Sequence, residues 1–316
     1  MFAADPFSRP RALGADRSTI QKAGTQPDAA QYQWLHDLAD ASAPAVRRAF
    51  LAAVEKLKGS VKIGELADAL ERGNMDEVMR LLAIDTQMPA EMRAALQTTL
   101  EDAFVAAGRA AVTETLPTDI QLAMRFDLTN PNAVEFLRSY EFGLIRQVTQ
   151  DTRDAVRSVV LRAFEEGGHP REQARAIRDI IGLTDRQQAA VANYRASLVE
   201  AGYDTDKIAG MVERYQQKLL RLRATNIART ETLRAANAGQ NAAWQQAADT
   251  QLLNRVTARQ YWLVTPDDRL CPYCAVVPIM NEGGVPLGGY FLTLLGPVEY
   301  PPLHPQCRCV LTIEEP

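Results

Sequence analysis

All four cysteines of this 316-residue chain lie near its end, as Cys271-Pro272-Tyr273-Cys274 and His304-Pro305-Gln306-Cys307-Arg308-Cys309. The second run also holds one of only three histidines. Thiolates and imidazole are the donors that tetrahedral zinc selects, and a C-x-x-C turn lets two sulfurs meet one ion. The 29 residues between Cys274 and His304 are no obstacle, because the entropy of closing a loop grows slowly with its length. The pattern predicts a structural zinc knot. Five donors compete for four positions: Cys271, Cys274 and Cys307 form its base, and His304 and Cys309 contest the last place. Cys307 and Cys309 would share one side of an extended strand, which favours the thiol and leaves His304 as an outer hydrogen-bond donor.

Other chemistries fit these residues less well. Disulfides need an oxidising compartment, and Met1-Phe2-Ala3-Ala4-Asp5-Pro6 has no apolar signal-peptide segment. No stretch approaches the roughly 18 uninterrupted apolar residues of a membrane span, so no membrane partner is expected. A thioredoxin-like C-x-x-C would open a helix, whereas Pro278, Gly283-Gly284 and Pro286 follow this one. A metallohydrolase wants an open coordination position and a general base, while four thiol-rich protein ligands close the site. Asp267 and Asp268 are expected to cap the turn after Thr265-Pro266. His36 and His169 stand isolated, the latter in an exposed turn between Gly168 and Pro170.

The elements that must position these donors are mostly helices. At 47% hydrophobic, 23% charged and a net charge of −4, the composition suits two packed domains and disfavours a surface devoted to nucleic acid. Residues 1–30 read as a flexible arm with Pro6, Pro10, Pro27, Gly14 and Gly24. Residues 31–150 read as a helical N-terminal domain. Its first helix ends at Gly59, two short ones occupy 63–83, another runs from Pro89 to Thr113, and Asn130-Pro131 starts the next. Further helices are expected over 152–166, from Pro170 to Gly182, and from the capping box Thr184–Gln187 to Gly202. The longest helix starts at Asp204 or Thr205 and reaches Ala247, with room for a break. Beyond residue 255, strands are predicted over 260–265 and 309–313, with a third at Tyr290-Phe291-Leu292. The fold class is therefore mainly α, with a small antiparallel β module stapled by zinc at the C-terminus.

Three sets of residues then fall into a familiar order. Ile227-Ala228-Arg229-Thr230-Glu231 lies on the long helix; Trp262, Thr265-Pro266-Asp267-Asp268-Arg269, Cys271 and Cys274 follow; Pro302, His304-Pro305 and Cys307-Arg308-Cys309 close the set. In this the chain resembles the phage Mu F-like head morphogenesis family, the minor head proteins of tailed phages and prophages. The likeness covers roughly residues 155–313 and defines a domain over 151–316. It implies a virion component without catalytic activity, inside the capsid near the portal and in the host cytoplasm during assembly. Portal and capsid proteins would be its partners, in head morphogenesis and DNA packaging or exit.

Two alternatives use the same residues. Arg229 and Glu231 suggest an ADP-ribosyltransferase-like toxin, but positions two apart do not share a helix face. Structural ion pairs, with Glu231 joined to Arg234, are the expectation. A zinc-stabilised nucleic-acid-binding protein, or nonspecific contact with packaged DNA, would use the seven basic residues between Thr205 and Arg234, set against three acidic ones. A solvated helix face with intrahelical pairs accounts for the same run.

Overall fold

A computed structural model describes residues 32–127, 131–166, 168–265 and 267–315. The arm expected over 1–30 and the cap expected at Asn130 lie outside them. The fold is mainly helical, with one small antiparallel sheet near the C-terminus. The helices are α1 (Gln33–Ser60), α2 (Ile63–Glu71), α3 (Met75–Leu82), α4 (Gln87–Thr115), α5 (Thr118–Ala123), α6 (Pro131–Glu166), α7 (Pro170–Asp179), α8 (Asp185–Glu200) and α9 (Thr205–Asp249). Strand β1 (Arg259–Leu263), short helices α10 (Pro272–Ala275) and α11 (Val277–Met280), and strands β2 (Val285–Pro286) and β3 (Val310–Glu314) follow.

Local chemistry accounts for several helix starts. Thr184 and Gln187 form the reciprocal capping box that opens α8, and Asn74 caps α3 through the amide of Glu77. Asp204 accepts from the Lys207 amide at the start of α9, 2.9 Å away. His169 is exposed and caps α7 through Nδ1, with Pro170 at the first position. Two expectations change here. Helix α6 runs unbroken from Pro131 to Glu166, and α9 carries no break.

The chain forms two compact units, and neither is a contiguous half. One takes the described residues up to Val46, Thr99–Arg138 and everything from Asn226 onward; the other takes Arg47–Thr98 and Ser139–Thr225. The boundary read near residue 150 falls inside α6. In the second unit, Arg223 of α9 is buried and bonds both Asp151 and the Gly182 carbonyl at 2.8 Å. Gly182 sits at φ +89, and a Cβ there would meet Val54 at 2.9 Å, so glycine is required.

In the first unit the C-terminal half of α9 is buried nearly all round, which explains its run of alanines: Ala235, Ala236, Ala238, Ala242, Ala243 and Ala247. Gly239 lets it touch α4 backbone to backbone, since a Cβ there would lie 2.1 Å from the Phe104 carbonyl oxygen. Tyr32, Leu35 and Ala39 join Ala107, Leu233, Ala236, Leu263 and Val310 in one core cluster.

The sheet order is β2-β1-β3, with Trp262 opposite Leu311 and Leu263 opposite Val310. The third strand is thus Val285–Pro286. Tyr290-Phe291-Leu292 contributes only one bridge, Phe291 to Val298, because Phe291 turns inward onto Trp262. The outer edge of β3 is covered by α9: Asn237 accepts from the Leu311 amide and Gln240 donates to its carbonyl. These buried amides anchor the module to the helix.

Candidate metal centre

Each donor pair is held by its own backbone. Cys271 caps α10, its Sγ accepting from the Cys274 amide at 3.3 Å while Pro272 starts the turn. Cys307 repeats the device, with Sγ accepting from the Cys309 amide at 3.5 Å. The amide of Cys307 also bonds the His304 carbonyl at 3.1 Å, which closes a tight turn. Asp267 ties the two loops together. Both its oxygens engage the guanidinium of Arg308, and it accepts from the Arg269 amide at 2.9 Å. These contacts hold the Asp267 carboxyl well below the usual carboxylate range. The expected cap at Asp267 is present, while Asp268 is exposed.

The five donors come together as two triads that share Cys274. Cys271, Cys274 and His304 form one and Cys274, Cys307 and Cys309 the other, each with its ligand atoms within 4.8 Å of one another. Cys274 and Cys307 lie 3.6 Å apart, close to the roughly 3.8 Å edge of a tetrahedron of thiolates on zinc. His304 Nε2 is 2.8 Å from Cys271 Sγ and 3.2 Å from Cys274 Sγ. Its Nδ1 lies 2.8 Å from the Pro305 carbonyl, a bond that leaves Nε2 as the ligating nitrogen. The cluster can hold a metal ion. All four cysteines are free thiols, so the disulfide reading finds no pair.

Electrostatics point the same way. Hydrogen bonds from Cys274, then from His304, lower the Cys271 thiol to about 5, and Cys274 likewise holds Cys307 well down. Cys274 is pushed up by the sulfurs of Cys271, Cys307 and Cys309 around it. Cys309 is also raised: Cys274 lowers it, but Cys307 and burial outweigh that. Burial would lower His304, yet Cys271 and the charge of Cys307 lift it to about 9. Four crowded sulfurs cannot all ionise beside one another unless a cation joins them. A divalent ion would replace those protons.

Sequence reasoning left His36 unassigned and, although Thr230 lies in the motif of the resemblance, gave it no role at this site. His36, isolated along the chain, lines a cavity of about 440 Å³ whose wall includes Cys271, His304 and Cys307. Burial, with the charge of Arg308, lowers its pKa against the pull of Asp40. Thr230 accepts from the Gln306 amide at 3.0 Å. Neither contact could be read locally, since α1 and α9 reach the cluster only through the fold.

The chain was also compared with known proteins. Neither family models, curated proteins nor solved structures give a match.

The competing motifs have structural partners. Glu231 is buried and pairs with Arg234 at 3.3 Å; Arg229 approaches Asp40 at 3.8 Å. Of the other basic residues on α9, Lys207 pairs with Asp204 and Arg223 with Asp151. Arg214, Lys218 and Arg221 are exposed, in no ion pair among the described residues. Among the described residues, no helix is long and apolar enough to cross a membrane.

Proposed function

We propose that this chain is a structural minor head protein of a tailed phage or prophage, of the phage Mu F-like kind, whose C-terminal loops are stapled by zinc. One observation carries the reading. The residues of the resemblance, scattered from Arg229 to Cys309, meet around a single donor cluster. Thr230 meets the His304–Cys307 turn, and Asp267 clamps Arg308 between the last two cysteines. Such a set suits a scaffold, because Arg229, Glu231, Asp267 and Arg308 are each taken up by an ion pair.

Cys271, Cys274 and Cys307 would hold zinc through sulfur and His304 through Nε2. His304 Nε2, 2.8 Å from Cys271 Sγ and 3.2 Å from Cys274 Sγ, would take the fourth place, against the expectation from strand alternation. Cys309, buried beside Cys274 and Cys307, would be the remaining thiol. Bound there, zinc would act as a cross-link between the two loops. The chain itself supplies the turns, the amide-to-sulfur bonds and the Asp267–Arg308 clamp.

The test is association with the head. Purified chain, mixed with portal rings from the same phage without DNA, is expected to co-sediment with them. Salt-dependent capture by generic duplex DNA and none by portal would favour the nucleic-acid reading. NAD consumption that disappears on changing Arg229 and Glu231 to alanine would replace the structural role with an enzymatic one.

A further inference from the structure

The turn that carries His304 and Cys307 contains a backbone conformation that residues other than glycine adopt uncommonly. Gln306, exposed and not glycine, sits at φ +61, in the left-handed region. Such backbone persists where its surroundings over-determine it, and it clusters at ligand sites. With Gln306 in this state the chain reverses between the imidazole and the thiol. Both then face Cys274, which lies 3.2 Å from His304 Nε2 and 3.6 Å from Cys307 Sγ.

The surroundings that hold it come from α9. The Gln306 amide donates to Thr230 Oγ1 at 3.0 Å. Thr230 is 2% exposed, and its own hydroxyl proton goes to the Asn226 carbonyl at 2.8 Å. That bond orients the hydroxyl, so the oxygen presents its lone pairs to the turn. Arg229 and Glu231 are engaged elsewhere, with Asp40 and Arg234. Within the Arg-Thr-Glu triplet, threonine is the member that faces the ligand-bearing turn.

We propose that Thr230 is a positioning residue of the metal centre: its hydroxyl fixes the left-handed turn at Gln306 and so presents His304 and Cys307 to one ion. The inference rests on the metal reading above and adds to it. Of the triplet on α9, Thr230 is then the support of a site more than 70 residues further along the chain.

The test compares zinc affinity, by competition with a chromophoric chelator, in wild type, Thr230→Val and Thr230→Ser, with far-ultraviolet circular dichroism as the control for folding. Valine keeps the shape and removes the acceptor. Loss of a partner that bonds a ligand directly weakens metal affinity by about 10- to 100-fold; Thr230 acts through the residue next to Cys307, so a loss of about tenfold is expected at unchanged helicity. Serine restores the hydroxyl and is expected to return affinity close to wild type. With cobalt in place of zinc, the visible spectrum of the valine variant should shift, a change that a purely structural role would not produce. Gln306→Gly supplies an independent readout: glycine takes the left-handed state without strain, so this variant is expected to bind at least as tightly as wild type. A wild-type chain that takes up no zinc overturns the metal reading, and this inference with it. A wild type that binds, beside a valine variant that binds equally tightly, overturns this inference alone. A tenfold loss in Gln306→Gly would do the same.

Discussion

Cys274 belongs to both donor triads and so lies within 4.8 Å of every other candidate ligand, whereas Cys309 belongs only to the second. Cys274→Ser is therefore expected to abolish cobalt binding. His304→Ala should weaken it at least a hundredfold and Cys309→Ser by less than about tenfold. Titration followed by sulfur-to-cobalt absorbance separates these outcomes. If Cys309→Ser abolishes binding while His304→Ala does not, the fourth place belongs to the thiol. A second residue sets a pH limit. Burial, then the charge of Glu314, pushes the Tyr32 hydroxyl, which bonds Thr312, up to about 12. A folded-state pKa above the unfolded value stabilises fully below about pH 10 and is lost as pH rises from there toward 12. Tyr32→Phe should flatten that alkaline decline in denaturant unfolding between pH 10 and 12, and an unchanged slope would remove Tyr32 as its cause.

At the scale of elements, α9 has two characters in one continuous helix. Its first half carries an amphipathic stripe, while its second half is enclosed by α4, the sheet and the first turns of α1, within one unit. Small residues are what make that enclosure possible, and Gly239 is the tightest point. Gly239→Ala is expected to cost on the order of 3 kcal/mol, because the obstacle is the backbone carbonyl of Phe104 and not a flexible side chain. Gly59→Ala, in the last turn of α1 with nothing within 4 Å, should instead stabilise by about 0.5–1 kcal/mol. Urea unfolding of both variants checks the contrast. Equal effects would mean that the crossing of α4 and α9 has room to spare.

For the whole molecule, the decisive feature is that segments distant in sequence complete one core. The helices α1 and α4 supply Leu35, Ala39 and Ala107 to the cluster that also contains Leu263 and Val310 of the sheet. Residues 155–313, which the resemblance covers, therefore lack part of the wall they pack against. A fragment of residues 151–316 is expected to remain unfolded or aggregate even with zinc, judged by circular dichroism and proteolysis. A well-folded, monomeric fragment would restore the picture of a self-contained C-terminal domain. In the full chain, removal of a metal present at a thousandfold its Kd would cost about 4 kcal/mol.

Sequence alone carried the parts set by short-range chemistry. Capping pairs such as Thr184–Gln187, the stop near Gly59 and the two short donor runs, Cys271–Cys274 and His304–Cys309, depend on neighbours within a few residues, whereas the strand over 309–313, read as alternating, buries Val310, Leu311 and Thr312 in succession because α9 covers it. The continuity of α6 and α9 was harder to read, because burial overrides weak local signals such as Gly210 and Gly239. Tertiary structure decided which strand pairs with β1, how the two units divide the chain, and what stands around the donors. His36 and Thr230 reach the site from helices far away in sequence; the motif around Thr230 was legible, but its contact with Gln306 exists only when separate helices pack on one sheet.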